Sequence, residues 1–137
     1  MTNGISISGF AINVVDLDRS AEFYTQVLGL EEKTKIDLGE LHEVLVGGAD
    51  DRHSILLVHH GDRTEEPTPG TGFEKIVFLT DDVDALYARV VNGGGASVKA
   101  PWVLERMAMK VALVRDPDGY LLELIQRKTG QPATRPR

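Results

Sequence analysis

The stretch Val15-Asp16-Leu17-Asp18-Arg19-Ser20-Ala21-Glu22-Phe23-Tyr24, completed by Val27-Leu28-Gly29-Leu30, decides the fold. The β-branched apolar run Ile5 to Val15 precedes it and predicts a strand. Leu17, Ala21, Tyr24 and Leu28 then recur at helical spacing. Asp18 is placed to open that helix and cap it by accepting from free backbone amides, and Gly29 supplies a left-handed stop. Glu31 to Asp37 and Leu41 to Val46 predict two strands joined by a turn near Gly39. A turn over Gly47-Gly48-Ala49-Asp50-Asp51 leads to a further strand, Ser54 to His60.

The same order then restarts. Phe73 to Thr80 predicts a strand, Asp82 or Asp84 opens a helix carrying Val83, Leu86, Val90 and Val91, and Gly93-Gly94-Gly95 ends it. Ala96 to Lys99 predicts a short strand and Met107 to Arg115 a longer one. Asp116-Pro117-Asp118-Gly119 is a turn in which Pro117 presets φ and Gly119 tolerates a positive one, and Tyr120 to Gln126 is the last strand. A shift of 66 positions pairs Asp16 with Asp82, Asp18 with Asp84, Gly29 with Gly95, Lys33 with Lys99 and Asp50 with Asp116. Matching element order makes this a duplicated βαβββ module: residues 5–60, a Pro- and Gly-rich linker over 61–72, and residues 73–127. Residues 128–137 read as a frayed tail, and the whole chain as a single α+β domain of two tandem modules.

Composition narrows the function classes. A net charge of −6 without any basic run argues against nucleic acid and against an anionic membrane surface. The absence of cysteine removes disulfides, zinc–thiolate sites and a thiol nucleophile, and fits a cytoplasmic setting. No signal peptide is apparent before Ser8, and no apolar run approaches a membrane span.

The quoted opening stretch and the closing stretch Asp116-Pro117-Asp118-Gly119-Tyr120-Leu121-Leu122-Glu123-Leu124-Ile125 resemble the two signatures of the vicinal oxygen chelate superfamily, which holds glyoxalases, bleomycin-resistance proteins and dioxygenases. The resemblance covers residues 5–127 and implies a glyoxalase-like fold, in which two modules curl into a cup-shaped mixed sheet. In metal-dependent members, four inward side chains from the first and fourth strands of each module hold one divalent cation. Carried over to this chain, those positions are Gly9, Leu57, Lys75 and Glu123. Glycine and leucine offer no donor and an ammonium repels a cation, so a single carboxylate remains where three or four ligands are needed. No metal ligand set and no cofactor are therefore expected. A displaced divalent metal, with His59 or His60 brought inward, is the alternative.

Asn13, His59, Lys75 and Glu123 share the parity of the implied ligand positions and form the expected pocket. Trp102, Met107 and Met109 offer an adaptable apolar wall for the same ligand. Lys75 and Glu123, with His59 as a proton carrier, are the candidate catalytic groups. Against this stand plainer readings: a structural Lys75–Glu123 ion pair, His59 at a strand end, His42 at a sheet edge and His53 in an exposed turn.

Three functions follow from the resemblance. The first is binding of a small, partly apolar molecule without the usual metal. The second is a lyase or isomerase of the glyoxalase type, using a displaced metal or metal-free acid/base catalysis by Lys75 and Glu123. Last comes a ring-cleaving dioxygenase, whose two histidines are missing from positions 9 and 75. A homodimer is expected, because curved sheets leave edges and apolar faces to cover.

Overall fold

The computed structural model describes residues 4–50 and 52–128. It separates at Thr68/Pro69 into two compact units. The first contains β1 (Gly9–Asn13), α1 (Leu17–Glu22), β2 (Glu31–Asp37), β3 (Leu41–Gly47) and β4 (Ser54–His60). The second contains β5 (Ile76–Leu79), α2 (Val83–Asn92), β6 (Ala96–Leu104), β7 (Met109–Arg115) and β8 (Leu121–Arg127). The sheets run β1-β4-β3-β2 and β5-β8-β7-β6. Each is antiparallel except for one parallel closure, β1 on β4 and β5 on β8. This is the α+β arrangement of two βαβββ modules.

Both helices open on an aspartate immediately before the first apolar helical residue, Leu17 in α1 and Val83 in α2. The Asp16 carboxylate accepts from Arg19 N at 3.0 Å, so Asp16 caps α1 and Asp18 sits inside its first turn. Asp82 does the same for α2 through Ala85 N at 3.1 Å. The expectation for Asp18 is corrected by two residues: Asp16 is extended, as a cap must be. α1 runs on into a wider helical turn, Phe23–Val27, and Gly29 then takes φ 88°.

In the first unit α1 packs against β3 and β4, and the residues facing it are Ile12, Val44, Val46, Ile55 and Leu57, with Ser20, Phe23 and Tyr24 completing a buried core. Phe23 and Tyr24 meet edge to face at 5.4 Å. In the second unit Val83, Leu86 and Val90 of α2 cover Ile76, Ala112, Val114, Leu122 and Leu124. The Asp116 carboxylate, buried in the turn before β8, accepts from Asp118 N and Tyr120 N, both at 2.9 Å. β6 is longer than the short strand Ala96 to Lys99 expected from sequence. It reaches Leu104 despite Pro101, because an edge strand has no outer neighbour to donate to and Pro101 falls within the irregular step between Lys99 and Trp102, where the ladder to β7 is interrupted. Asp51 and residues 129–137 of the expected tail lie outside the described residues.

Candidate functional site

Strand register fixes which side chains share a face, because alternate residues point to opposite sides and cross-strand partners to the same side. In the second unit Val77 lies opposite Glu123, and Glu123 opposite Leu113, which in turn faces Lys99. This row occupies the face that α2 leaves uncovered. Lys75, just before β5, reaches across it: its Nζ is 3.1 Å from Glu123 Oε1. The side chains are 31% and 19% exposed, so the pair is screened but in contact with solvent. The sequence placed these two together, and the structure does too.

Trp102 joins the same face through an irregularity in β6. Lys99 opposes Leu113 and Trp102 opposes Val111, so three residues of β6 span two of β7. The extra residue restores Trp102 to the side that carries Lys99, whose Nζ lies 3.9 Å from the centre of its ring. Met109 shares this face at the end of β7, opposite Leu104 and Arg127. Met107 is exposed in the short turn Glu105–Met107 that precedes it. Lys99 was not among the sequence candidates. Its signal was the match to Lys33 in the repeat, which said nothing about a neighbouring ring.

The first unit departs from the expected parity. Phe10 lies opposite Ile55 and Ala11 opposite Leu56, whereas their equivalents Ile76 and Val77 lie opposite Leu122 and Glu123. The shift between modules is 66 for the first strand but 67 for the fourth. The counterpart of Glu123 is therefore Leu56, not Leu57. Leu57 is 0% exposed and packs beneath α1, while Leu56 lines a depression of about 260 Å³ with Gly9, Ala11, Leu45 and Ser54 on the helix-free face. Asn13 shares the parity of Gly9 and Ala11. His59 does not: it shares the parity of Leu57, so the expected grouping of His59 with Asn13 is corrected. His59 Nδ1 lies 3.1 Å from Val14 O, and its ring borders a depression of about 520 Å³ with His42, Val15, Asp16, Leu17 and Asp18. His53 is exposed, with Nδ1 3.3 Å from Ile7 O.

The cation used by metal-dependent relatives finds a poor donor set at the corresponding positions. A Cβ at Gly9 would stand 2.0 Å from Ser54 O, so the backbone leaves no room for a ligating side chain there. Leu56 carries no donor, and Lys75 already neutralises Glu123. Among the described residues, no group of three or more His, Cys, Asp or Glu is arranged to hold a metal. Among them, too, no helix is long and apolar enough to cross a membrane.

Residues 6–124 match the model of the Glyoxalase/Bleomycin resistance protein/Dioxygenase superfamily. A probable lactoylglutathione lyase of Synechocystis sp. is 33% identical over 118 residues, which are 84% of this chain and 90% of that protein. Among solved structures, glyoxalase I of Leishmania major superposes with a TM-score of 0.77 at 28% identity, covering 92% of this chain and 89% of that one. Glyoxalase I of Zea mays gives a TM-score of 0.80 at 27% identity, covering 89% of this chain. This chain spans only 44% of the maize protein's length. The match to the family model and the likeness to these relatives, over nearly the whole chain, agree with the module order and the ladder registers: the chain belongs to the glyoxalase/bleomycin resistance protein/dioxygenase superfamily.

Proposed function

We propose that this chain is a lyase or isomerase of the glyoxalase type that works by acid/base catalysis without the four-ligand cation. The observation that carries the proposal is the Lys75–Glu123 contact of 3.1 Å, on the same helix-free face as Trp102 and Lys99. Relatives named lactoylglutathione lyase, 33% identical over most of the chain, support this over simple binding. A 2-hydroxyacyl thioester is the isomer of the hemithioacetal formed from a 2-oxoaldehyde and a thiol. Interconversion moves one proton between adjacent carbons and one between their oxygens. Glu123 takes the carbon-bound proton, the electron pair moves onto the neighbouring carbonyl oxygen, and the Lys75 ammonium holds the resulting enediolate. Glu123 then returns the proton to the adjacent carbon, while the hydroxyl proton of the thiol-bearing carbon passes to the enediolate oxygen, which leaves the thioester carbonyl and the 2-hydroxyl group. Lys75 supplies in covalent form the positive charge that a cation would bring, and Trp102 offers an apolar surface to the substrate body. A homodimer in the cytoplasm is part of this reading, supported by the four edge strands β1, β2, β5 and β6 of the two sheets and the lack of cysteine.

The test uses chelator-treated protein with 2-oxoaldehydes and thiols, glutathione among them, and follows thioester formation. Turnover should survive chelation, and Glu123→Gln should lower kcat by about 10²–10⁴. Lys75→Met should do likewise, and the double variant Lys75→Met/Glu123→Gln should cost little more than either single one, as members of one catalytic unit do. Turnover that requires added metal, or that survives Glu123→Gln, sinks the acid/base reading.

The second reading is a binding protein without turnover. The closed Gly9 position and the lone Glu123 carboxylate favour it, since neither needs chemistry. It predicts no thioester under any condition, together with tight binding of a partly apolar anion that weakens in Lys75→Met while a neutral analogue is unaffected.

A further inference from the structure

We propose that His42 and His59 form a two-histidine site for a divalent transition-metal cation, on the helix-covered side of the first sheet. The two residues are direct cross-strand partners in the β3–β4 ladder, so their side chains leave the sheet on the same face and within reach of each other. Both line the same depression of about 520 Å³ at the start of α1.

The polar partners of the two Nδ1 atoms leave both rings able to act as ligands. His59 Nδ1 lies 3.1 Å from Val14 O, and a carbonyl only accepts, so Nδ1 carries the hydrogen. His42 Nδ1 lies 3.3 Å from Asp37 Oδ1, and a carboxylate likewise accepts. In the neutral imidazole each arrangement puts the lone pair on Nε2. Metal-binding histidines are oriented in this way, by a carboxylate or backbone carbonyl on the second nitrogen. Both rings line one opening, and with Nδ1 engaged by Asp37 in one and by the end of β1 in the other, each keeps Nε2 for a cation. Asp16 and Asp18 border it and contribute negative charge, which favours a cation over an anion. Water completes the coordination, so the site is open and suits imidazole-binding ions such as nickel, zinc or copper. None of these residues takes part in the acid/base proposal, and the site stands or falls apart from it.

Calorimetric titration of the chelator-treated full chain with NiCl₂ and with ZnCl₂ tests the site. Wild type should bind a single ion per chain. His42→Ala and His59→Gln should each weaken binding at least about tenfold, and Asp37→Asn by about tenfold as a lost outer partner. His59→Gln is chosen because its amide can still donate to Val14 O, and half-exposed His42 can be truncated without opening the core, so at least one variant stays folded. His60→Ala, one residue along and on the opposite face, should leave the isotherm unchanged, as should Glu123→Gln. No binding to wild type overturns the proposal, as does undiminished binding in folded His42→Ala. Loss of binding in His60→Ala or Glu123→Gln overturns it too, by placing the ion elsewhere.

Discussion

Replacing Gly9 with alanine tests the claim that this position is closed and not simply empty. The new Cβ would stand 2.0 Å from Ser54 O, 2.9 Å from Ser54 C and 3.2 Å from Ser54 N. Ordinary contacts between such atoms lie near ~3.5 Å, so β1 must retreat from β4 by about 1 Å or more. These are backbone atoms, with no flexible side chain to yield. The Gly9–Ser54 pair opens the parallel ladder, and Ser54 N donates to Ser8 O at 3.0 Å, so the retreat stretches that bond past its useful range. Overpacking costs about 1–3 kcal/mol and a lost hydrogen bond about 1 kcal/mol, giving about 2–4 kcal/mol in all. With a urea slope of about 2 kcal/mol per M, the midpoint falls by about 1–2 M at unchanged slope. The only tryptophan, Trp102, lies in the second unit, so far-UV circular dichroism is the signal to follow. Gly72→Ala, where a Cβ meets nothing within 4 Å, is the control and should stay within about 0.5 kcal/mol of wild type. Equal midpoints for Gly9→Ala and Gly72→Ala would refute the reasoning. Gly9→His should carry at least the same penalty and acquire no cation, because the strand leaves before the imidazole is placed.

Asp116→Ala removes the acceptor of two buried amides and should cost about 2–4 kcal/mol in urea unfolding followed by Trp102 emission, with Asp116→Asn milder because it keeps one oxygen. Asp16→Ala and Asp82→Ala should each cost about 1 kcal/mol as lost helix caps. Asp18→Ala and Asp84→Ala, which accept no cap bond, should cost clearly less, and a reversed order in thermal melts would refute the cap assignment.

Element order was legible because each module repeats the same three signals: a β-branched run, an aspartate before a helical spacing, and a glycine after it. The Lys75–Glu123 contact was legible because both residues flank one parallel ladder within a single module. The faces of β4 were not. Asp50 and Ser54 are separated by three residues, but Asp116 and Leu121 by four, so the second turn is one residue longer. A side-chain period of two converts that single residue into opposite faces, which moved Leu57 into the core and His59 to the helix side. The cap of α1 was misplaced for a related reason: Asp16 and Asp18 both suit an N-terminus, and only backbone conformation separates them. The Lys99–Trp102 contact depends on an irregular step in β6 that no spacing rule announces.

The parallel closures of β1 on β4 and β5 on β8 also order events during synthesis. The antiparallel ladders β2–β3–β4 join neighbours across short turns, whereas Gly9 meets Ser54 across roughly 45 residues. Relative to a hairpin turn of about 6 residues, that is about three doublings of loop length, or about 2 kcal/mol of additional closure entropy. A chain leaving the ribosome therefore carries β1 unpaired until residues up to Val58 have emerged, although that strand is made before the others of its unit. The second unit repeats the wait, with Ile76 to Leu79 idle until Leu122 to Ile125 arrive. Within each unit the earliest strand synthesised is the last to dock, and a ribosome pause before Val58 or before Ile125 leaves an apolar β-branched segment exposed for as long as the pause lasts.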